Sequence, residues 1–209
     1  MIIAIDGTLA SGKGTIAKRL AEIFQLSYLD TGKLYRCVAV AALQQGVAFE
    51  DELQLAQLAE TIDPDAFADS DLRTAEAGQA ASRVAAVQSV RAALLSFQRR
   101  FAEQPGGAVL DGRDIGTVIC PHADVKIWVD ARLEIRAERR WKELVQKDPS
   151  LTLEEMVRQL KERDERDRTR ATAPMKPATD ALLLDSSDLT IDAAVDKARQ
   201  LVEQKRAET

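Results

Sequence analysis

The chain begins with a continuous apolar run, Met1-Ile2-Ile3-Ala4-Ile5, which ends at Asp6-Gly7. Two later runs have the same form: Ala108–Leu110 ends at Asp111, and Val125–Val129 ends at Asp130. Unbroken β-branched runs predict strands covered on both faces, as in a parallel sheet. Elsewhere the apolar spacing changes to three and four. Ile16, Leu20, Ile23 and Phe24 predict a helix over residues 14–24, followed by a short strand at 27–29 and a helix over 31–45 stopped by Gly46. Residues 51–61 predict a short helix, and 63–71, polar with one proline, a turn or hinge. The Ala-rich stretch 74–104 reads as helical with a break near Gln88, ending before Pro105-Gly106-Gly107.

A further helix is predicted over 132–147. Thr152, three residues before Glu155, starts a capping box whose helix should run to Pro174. Residues 181–184 form a last strand. Ile191, Ala194, Val195, Ala198, Leu201 and Val202 then share one face of a final helix capped by Thr190. Strands alternating with helices predict an α/β fold with a five-stranded parallel sheet flanked by helices.

Composition narrows the chemistry. In 209 residues, 34 acids outnumber 29 bases, so a general nucleic-acid binder is not expected and any anion site must be a local basic patch. The apolar runs, such as Val38–Leu43, are too short to span a bilayer. Cys37 and Cys120 stand far apart without a CxxC pair or an expected secretory leader, which reads as a cytoplasmic, reducing setting. His122 is the sole histidine, leaving little room for His-based triads or zinc clusters. Chemistry then falls to Lys, Arg, carboxylates and backbone.

Three segments carry it. Gly7-Thr8-Leu9-Ala10-Ser11-Gly12-Lys13 fits GxxxxGK between a strand and a helix, the context a phosphate-binding P-loop needs. Its N–H groups and the following helix N-terminus can hold one anion, with Lys13 as a point charge. Gly14 stands in the usual Ser/Thr slot, so the magnesium hydroxyl is assigned one place on, to Thr15. The second segment, Asp30-Thr31-Gly32-Lys33-Leu34-Tyr35-Arg36, opens a helix suited to an acceptor phosphate and sugar. The third, Asp111-Gly112-Arg113-Asp114-Ile115-Gly116-Thr117, lies where a core strand ends, the usual ligand position in open α/β sheets. Arg113 can clamp phosphate, Asp114 can accept from ribose hydroxyls, and Asp111 is placed like a Walker-B carboxylate that reaches Mg²⁺ through water. Taken alone, the second segment also suits a plain capped helix, and the third an internal Arg–Asp pair.

With these motifs quoted, the sequence closely resembles the bacterial cytidylate kinases. The likeness runs nearly end to end through GTLASGKGT, LDTGKLYR, the helical region with Arg73, Ser82 and Arg91, DGRDIGT, VKIWVDA, KERDERDRTRA and ALLLDSS. No NKxD base-reading motif of switch GTPases, no GFPR of adenylate kinases and no DR-aromatic motif of thymidylate kinases is found. With no long exposed heptad seam in the sequence, a monomer is expected. The resemblance implies a P-loop NTPase fold, MgATP as phosphoryl donor and CMP or dCMP as acceptor. It implies that Gly7–Thr15 grip ATP phosphates and that Arg36, Arg113 and Arg163 hold the acceptor phosphate. Thr31 and Asp114 are implied as the sugar pair, and Ser82, Arg91 and Arg170 as the cytosine readers, with Asp167 orienting its neighbours. Arg136, Arg139, Arg140 and Arg166 are candidates for ATP or the transferred phosphoryl. Lys13, Arg113 and Arg163 are expected to be catalytic.

The stretch Lys161–Arg170 has nine charged side chains in ten positions. Charge runs are usually solvated helix faces. Here Arg163, Asp167 and Arg170 fall at i, i+4 and i+7, so the acid is expected to hold both arginines, with Asp164 and Arg168 as a second pair. Next to the P-loop and DGRD, this reads as a mobile clamp. One domain is therefore expected, with a core of 1–36, 105–147 and 175–209, an acceptor-binding insertion of about 37–104 and a lid of about 148–174. Thr8 and Thr31 stand where proline and serine are frequent in the family, and 37–72 reads as short for its β-rich insert. The rival readings are a kinase of another small acceptor such as UMP, separable by assaying acceptors, and a non-catalytic ATP-binding module, against which the second and third motifs count.

Overall fold

The computed structural model describes residues 1–146 and 148–208. Among them, β1 (Ile2–Gly7), β2 (Ser27–Asp30), β3 (Ala108–Gly112), β4 (Val125–Asp130) and β5 (Leu182–Asp185) form one sheet, ordered β2-β3-β1-β4-β5, with every neighbouring pair parallel. The central strands are buried along most of their length, while β2 and β5 are partly exposed edges. Unbroken apolar runs thus sit in the middle of the sheet, as their pattern predicts.

The helices are α1 (Lys13–Phe24), α2 (Thr31–Gln45), α3 (Glu52–Glu60), α4 (Asp69–Leu72), α5 (Ala75–Val84), α6 (Gln88–Ala102), α7 (Leu133–Leu144), α8 (Leu153–Thr169) and α9 (Ile191–Ala207). Ile3, Ile5, Ile127 and Val129 pack on one sheet face with Ile16 and Leu20 of α1 and Val195, Ala198 and Val202 of α9. Ala4 and Leu110 face the other side, with Ile115, Ile119 and Ala102. The chain between β2 and β3 builds its own core, in which Leu34, Val38, Leu55, Val84, Val90 and Leu94 meet. A smaller cluster joins α7 to α8 through Ala137, Leu144, Met156 and Leu160.

The expected turn at 63–71 contains a 3₁₀ turn, Pro64–Ala66, and the single-turn α4. The break expected near Gln88 falls just before it, between α5 and α6. Thr152 and Thr190 cap their helices, accepting from the Glu155 and Ala193 amides. Of the helix expected over 132–147, α7 forms from Leu133 to Leu144, and Lys147 lies outside the described residues. Helix α8 stops at Thr169, five residues before Pro174. There the chain folds back: Arg170 Nε donates to the Ala173 carbonyl at 2.7 Å, and the Met175 amide to the Asp167 carbonyl at 2.8 Å. The helix thus ends in a local turn closed by these two bonds, ahead of Pro174.

Strand register decides what lies together. Asp30 is paired with Asp111, Asp6 with Gly112, and Gly7 with Val129. The carboxyl ends of four strands therefore open onto one crevice.

Candidate active site

The loop between β1 and α1 is shaped by close approach. A Cβ on Gly7 would lie 1.9 Å from the Val129 carbonyl oxygen, so the β1–β4 contact admits only glycine there. Ala10 and Gly12 are left-handed at φ 61° and 86°. Ser11 closes the loop by donating to the Thr8 carbonyl at 3.0 Å, and the Thr8 hydroxyl donates to Asp130 at 2.5 Å. Lys13 begins α1, with its ammonium 3.8 Å from Asp111.

Beside the loop lies a cleft of about 590 Å³. Its lining includes Lys13, Arg36, Arg113 and Arg163, together with Ser82, Arg91 and Arg170. Two buried carboxylates organise these cations. Asp167 accepts from Ser82 Oγ at 3.1 Å and from Arg113 Nε at 3.1 Å, and lies 4.0 Å from Arg163 Nε. Asp114 accepts from Arg91 and, at 3.3 Å, from Arg170. Arg91 and Arg170 converge again on the Ala85 carbonyl, at the α5–α6 break. Arg113 also donates to the Gly7 carbonyl, tying this lattice to the loop.

The cations are crowded and under-supplied. Burial, reinforced by the Arg113 charge, lowers the Lys13 ammonium to about 8 and the Arg163 guanidinium to about 10. Among the described residues, the buried Nε atoms of Arg36 and Arg163 have no hydrogen-bond partner. Unmet donors on buried cations suit an incoming anion. Burial raises Asp167, but Arg113, Arg163 and Arg170 outweigh it and hold its carboxyl below the usual range. Asp111 goes the other way, raised to about 6 by burial and by the neighbouring Asp30.

The nine expected acceptor residues, Thr31, Arg36, Ser82, Arg91, Arg113, Asp114, Arg163, Asp167 and Arg170, all line this one cleft. Some contacts differ from expectation. Arg170 is paired with Asp114, not Asp167, because it lies just past the end of α8. Asp164 is buried against Arg136 of α7 at 2.8 Å, so it is not paired with Arg168, which is exposed. Arg136 and Arg139, candidates for contacts to ATP, direct donors at the main-chain carbonyls of Leu9, Ala131 and Ser186. Thr15 is exposed on α1; the position facing Asp111 belongs to Gly14, whose added Cβ would lie 3.4 Å from Asp111 Oδ2. The Thr31 hydroxyl donates to the Asp111 carbonyl at 2.8 Å.

Four residues were given no role in the site by the sequence reading, although Asp30 and Tyr35 lie in its second segment. Asp30 caps α2 and holds Arg36 at 2.6 Å. Tyr28 donates to Asp111 at 3.1 Å, and Tyr35 lies under Arg91, 5.7 Å from ring centre to guanidinium. Asp6 accepts from the Ile115 and Gly116 amides at 2.8 Å each, fixing the turn after Asp114, and burial raises its carboxyl to about 7. The one signal for Asp6 was an acid ending a buried run.

A glycine loop between strand and helix, facing a second basic cleft at the carboxyl ends of a parallel sheet, defines a P-loop nucleotide kinase. The family model described as "Cytidylate kinase" matches residues 3–204. Proteins named "Cytidylate kinase" from Cereibacter sphaeroides (strain KD131 / KCTC 12085) and Rhodopseudomonas palustris (strain BisB18) are 54% and 53% identical, each over 99% of this chain and over 97% and 98% of their own lengths. The chain belongs to the cytidylate kinase family, and the expected enzyme class is met. These relatives match it nearly end to end, so its compact 37–72 region is no truncation relative to them. A crystal structure of an uncharacterized protein from Eubacterium ventriosum ATCC 27560 shares the fold, with a TM-score of 0.56 over 98% of both chains at 14% identity.

Proposed function

We propose that the protein transfers the γ-phosphoryl group of MgATP to CMP, and to dCMP, giving ADP and the nucleoside diphosphate. The observation that carries this reading is the meeting of nine side chains from five separate segments in one cleft that Leu9 and Lys13 of the phosphate loop also line. In the same reading, residues 37–104 are the acceptor insertion, 148–174 the lid, and the working unit a cytoplasmic monomer. Among the described residues no helix is long and apolar enough to cross a membrane.

The acceptor phosphate is itself the nucleophile at neutral pH, so no general base is needed. Catalysis is alignment and charge neutralisation. Arg36, Arg113 and Arg163 orient the acceptor phosphate toward Lys13. Burial first, then the neighbouring Arg113 charge, lowers Arg163, and the dianion the three arginines enclose offsets both. Asp114 and Asp167 keep the arginines in register before substrate arrives and share them afterwards. Closing α8 over the cleft excludes water. At the base end, Ser82, Arg91 and Arg170 read cytosine, while Thr31 and Asp114 face the sugar.

Magnesium fits the residues present. Asp111 is a buried carboxylate with an elevated pKa, and Gly14 leaves the space beside it open. Mg²⁺ keeps waters and takes ligands from one or two carboxylates and the nucleotide phosphates. Asp111 would hold it through water; Thr15, the expected hydroxyl, is exposed on α1, and it is Gly14 that faces Asp111. When bound, it supplies positive charge to the phosphate oxygens.

The test is ADP release with CMP, dCMP and UMP as acceptors. Turnover with the cytosine nucleotides and little with UMP is expected, since a pocket built to hydrogen-bond one base rejects its analogues strongly. Preference for UMP would overturn the acceptor assignment, and ATP binding without turnover of any acceptor would favour a binding module.

A further inference from the structure

Besides the Gly7 carbonyl held by Arg113, two further carbonyls of the phosphate loop are held from outside it. Arg136 of α7 donates to the Leu9 carbonyl at 3.3 Å, and Ser186, in the turn between β5 and α9, donates to the Ser11 carbonyl at 2.7 Å. Arg136 is itself anchored, by Nε to the Ala131 carbonyl at 2.8 Å and by its far nitrogen to Asp164 of α8 at 2.8 Å. Arg139 lies three residues further along α7. It donates to the Ser186 carbonyl at 2.7 Å and to the Ser186 hydroxyl at 3.2 Å.

The direction of that chain is settled by chemistry. A guanidinium only donates, so the Ser186 hydroxyl accepts from Arg139 and keeps its single proton for an acceptor. The Ser11 carbonyl at 2.7 Å is nearer than the Asp130 carbonyl at 3.3 Å. A trans peptide is planar, so its carbonyl and the following N–H point opposite ways. Holding the Leu9 carbonyl therefore aims the Ala10 amide, and holding the Ser11 carbonyl aims the Gly12 amide. Within the loop after Gly7, Ala10 and Gly12 have left-handed backbone, a conformation that is strained for alanine and is kept by its surroundings. The loop's own hydroxyl at Ser11 is engaged with Thr8.

We propose that Arg136, Arg139 and Ser186 are positioning residues for the phosphoryl donor: they grip the reverse side of the loop and aim the Ala10 and Gly12 amides at the donor phosphates. This rests on the reading of the loop as the ATP grip. Oriented amides act most strongly when they need not reorganise as charge develops. Through Asp164, the same arginine ties the loop to α8, so the donor grip and the segment that closes on the acceptor share one buried ion pair.

The experiment measures ATP and CMP binding separately, by titration of the full chain, with turnover assayed alongside. Ser186→Ala is expected to weaken ATP binding roughly tenfold, the worth of one lost hydrogen bond, with CMP binding within about twofold of wild type. Ser186→Thr keeps the hydroxyl and should recover most of the loss. Arg139→Gln, on a half-buried side chain, repeats the test without altering the buried serine. Equal weakening of both nucleotides, or unchanged ATP binding in both Ser186→Ala and Arg139→Gln, would overturn the positioning role. Lys13→Met separates the two readings. If its turnover survives, the donor assignment of the loop fails; if its turnover is lost while the two variants bind ATP normally, only the present inference falls.

Discussion

At the donor end, one continuous stretch, Gly7–Lys13, turns its backbone around the anion seat; the acceptor end instead gathers side chains from α2, α5, α6, the turn after β3 and α8. The donor loop tolerates Thr8, Leu9 and Ala10 as side chains, because amides do the holding. What it cannot tolerate is a Cβ at Gly7. The acceptor end is governed by charge. Four of its arginines are held by two acids, and each acid touches two or more elements. In the proposed reading, a ligand with a phosphate suffices for the first end, whereas the second also needs a matching base and sugar. On that reading selectivity belongs to the acceptor end, and affinity for any nucleoside triphosphate to the donor end.

The largest expected effect comes from Lys13→Met, which removes the charge between the two ends. Turnover should fall on the order of 10²–10³-fold or more, the scale for losing one transition-state donor. The melting midpoint should stay within a few degrees, since the ammonium has no packing role. Near-normal kcat would remove Lys13 from the chemistry. Next, Ser82→Ala and Arg170→Ala test whether the ends are separable. Each should raise the KM for CMP by about 10–100-fold, while the KM for ATP stays within a few-fold, as expected when one buried polar partner is lost. Parallel losses for both nucleotides would break the division between the ends.

A smaller effect sharpens the electrostatic contrast. Burial first, then Arg113, lowers Lys13 to about 8. Bound phosphates favour the charged form, so ATP binding near pH 8.5 should be accompanied by fractional proton uptake that vanishes near pH 6.5. Calorimetry in buffers of different ionisation enthalpy measures it, and Lys13→Met should abolish it. The smallest effect concerns Asp6, raised by burial from 3.8 to about 7. The folded state binds the extra proton between those values, so this contribution to stability is fully present below 3.8 and lost as pH rises through about 7. Asp6→Asn lacks that slope. Denaturation at pH 5 and pH 8 should show the variant gaining relative to wild type at the higher pH, and a gain at the lower pH would contradict the assignment.

The donor end was legible because its elements are adjacent in the chain: a buried run, glycines at fixed spacing and a lysine opening a helix need no distant partner. The acceptor residues were legible as types, and the pairing among them was not. The 3.6-residue period places Arg163, Asp167 and Arg170 on one stripe, yet α8 ends at Thr169 and Arg170 turns to Asp114. Asp164 looked like the partner of Arg168, but packing of α7 on α8 buries it against Arg136. Arg136 and Arg139 looked like phosphate ligands, as basic residues near such a loop usually do; Arg136 donates to the loop's Leu9 carbonyl, and Arg139 to the carbonyl and hydroxyl of Ser186 behind it. Asp6 gave almost no sign, since its two amide partners lie more than a hundred residues away.

By itself, the amino-acid order determined the alternation of strands and helices, the glycine loop and the stock of arginines and acids available for anion binding. Those properties come from local periodicity, backbone freedom and side-chain chemistry. Tertiary structure alone decided which acid holds which arginine, where α8 ends and what grips the loop from behind. Such pairings are chosen by burial: a charge taken out of water must find whatever partner the packed elements bring within reach, however far away it lies in the chain.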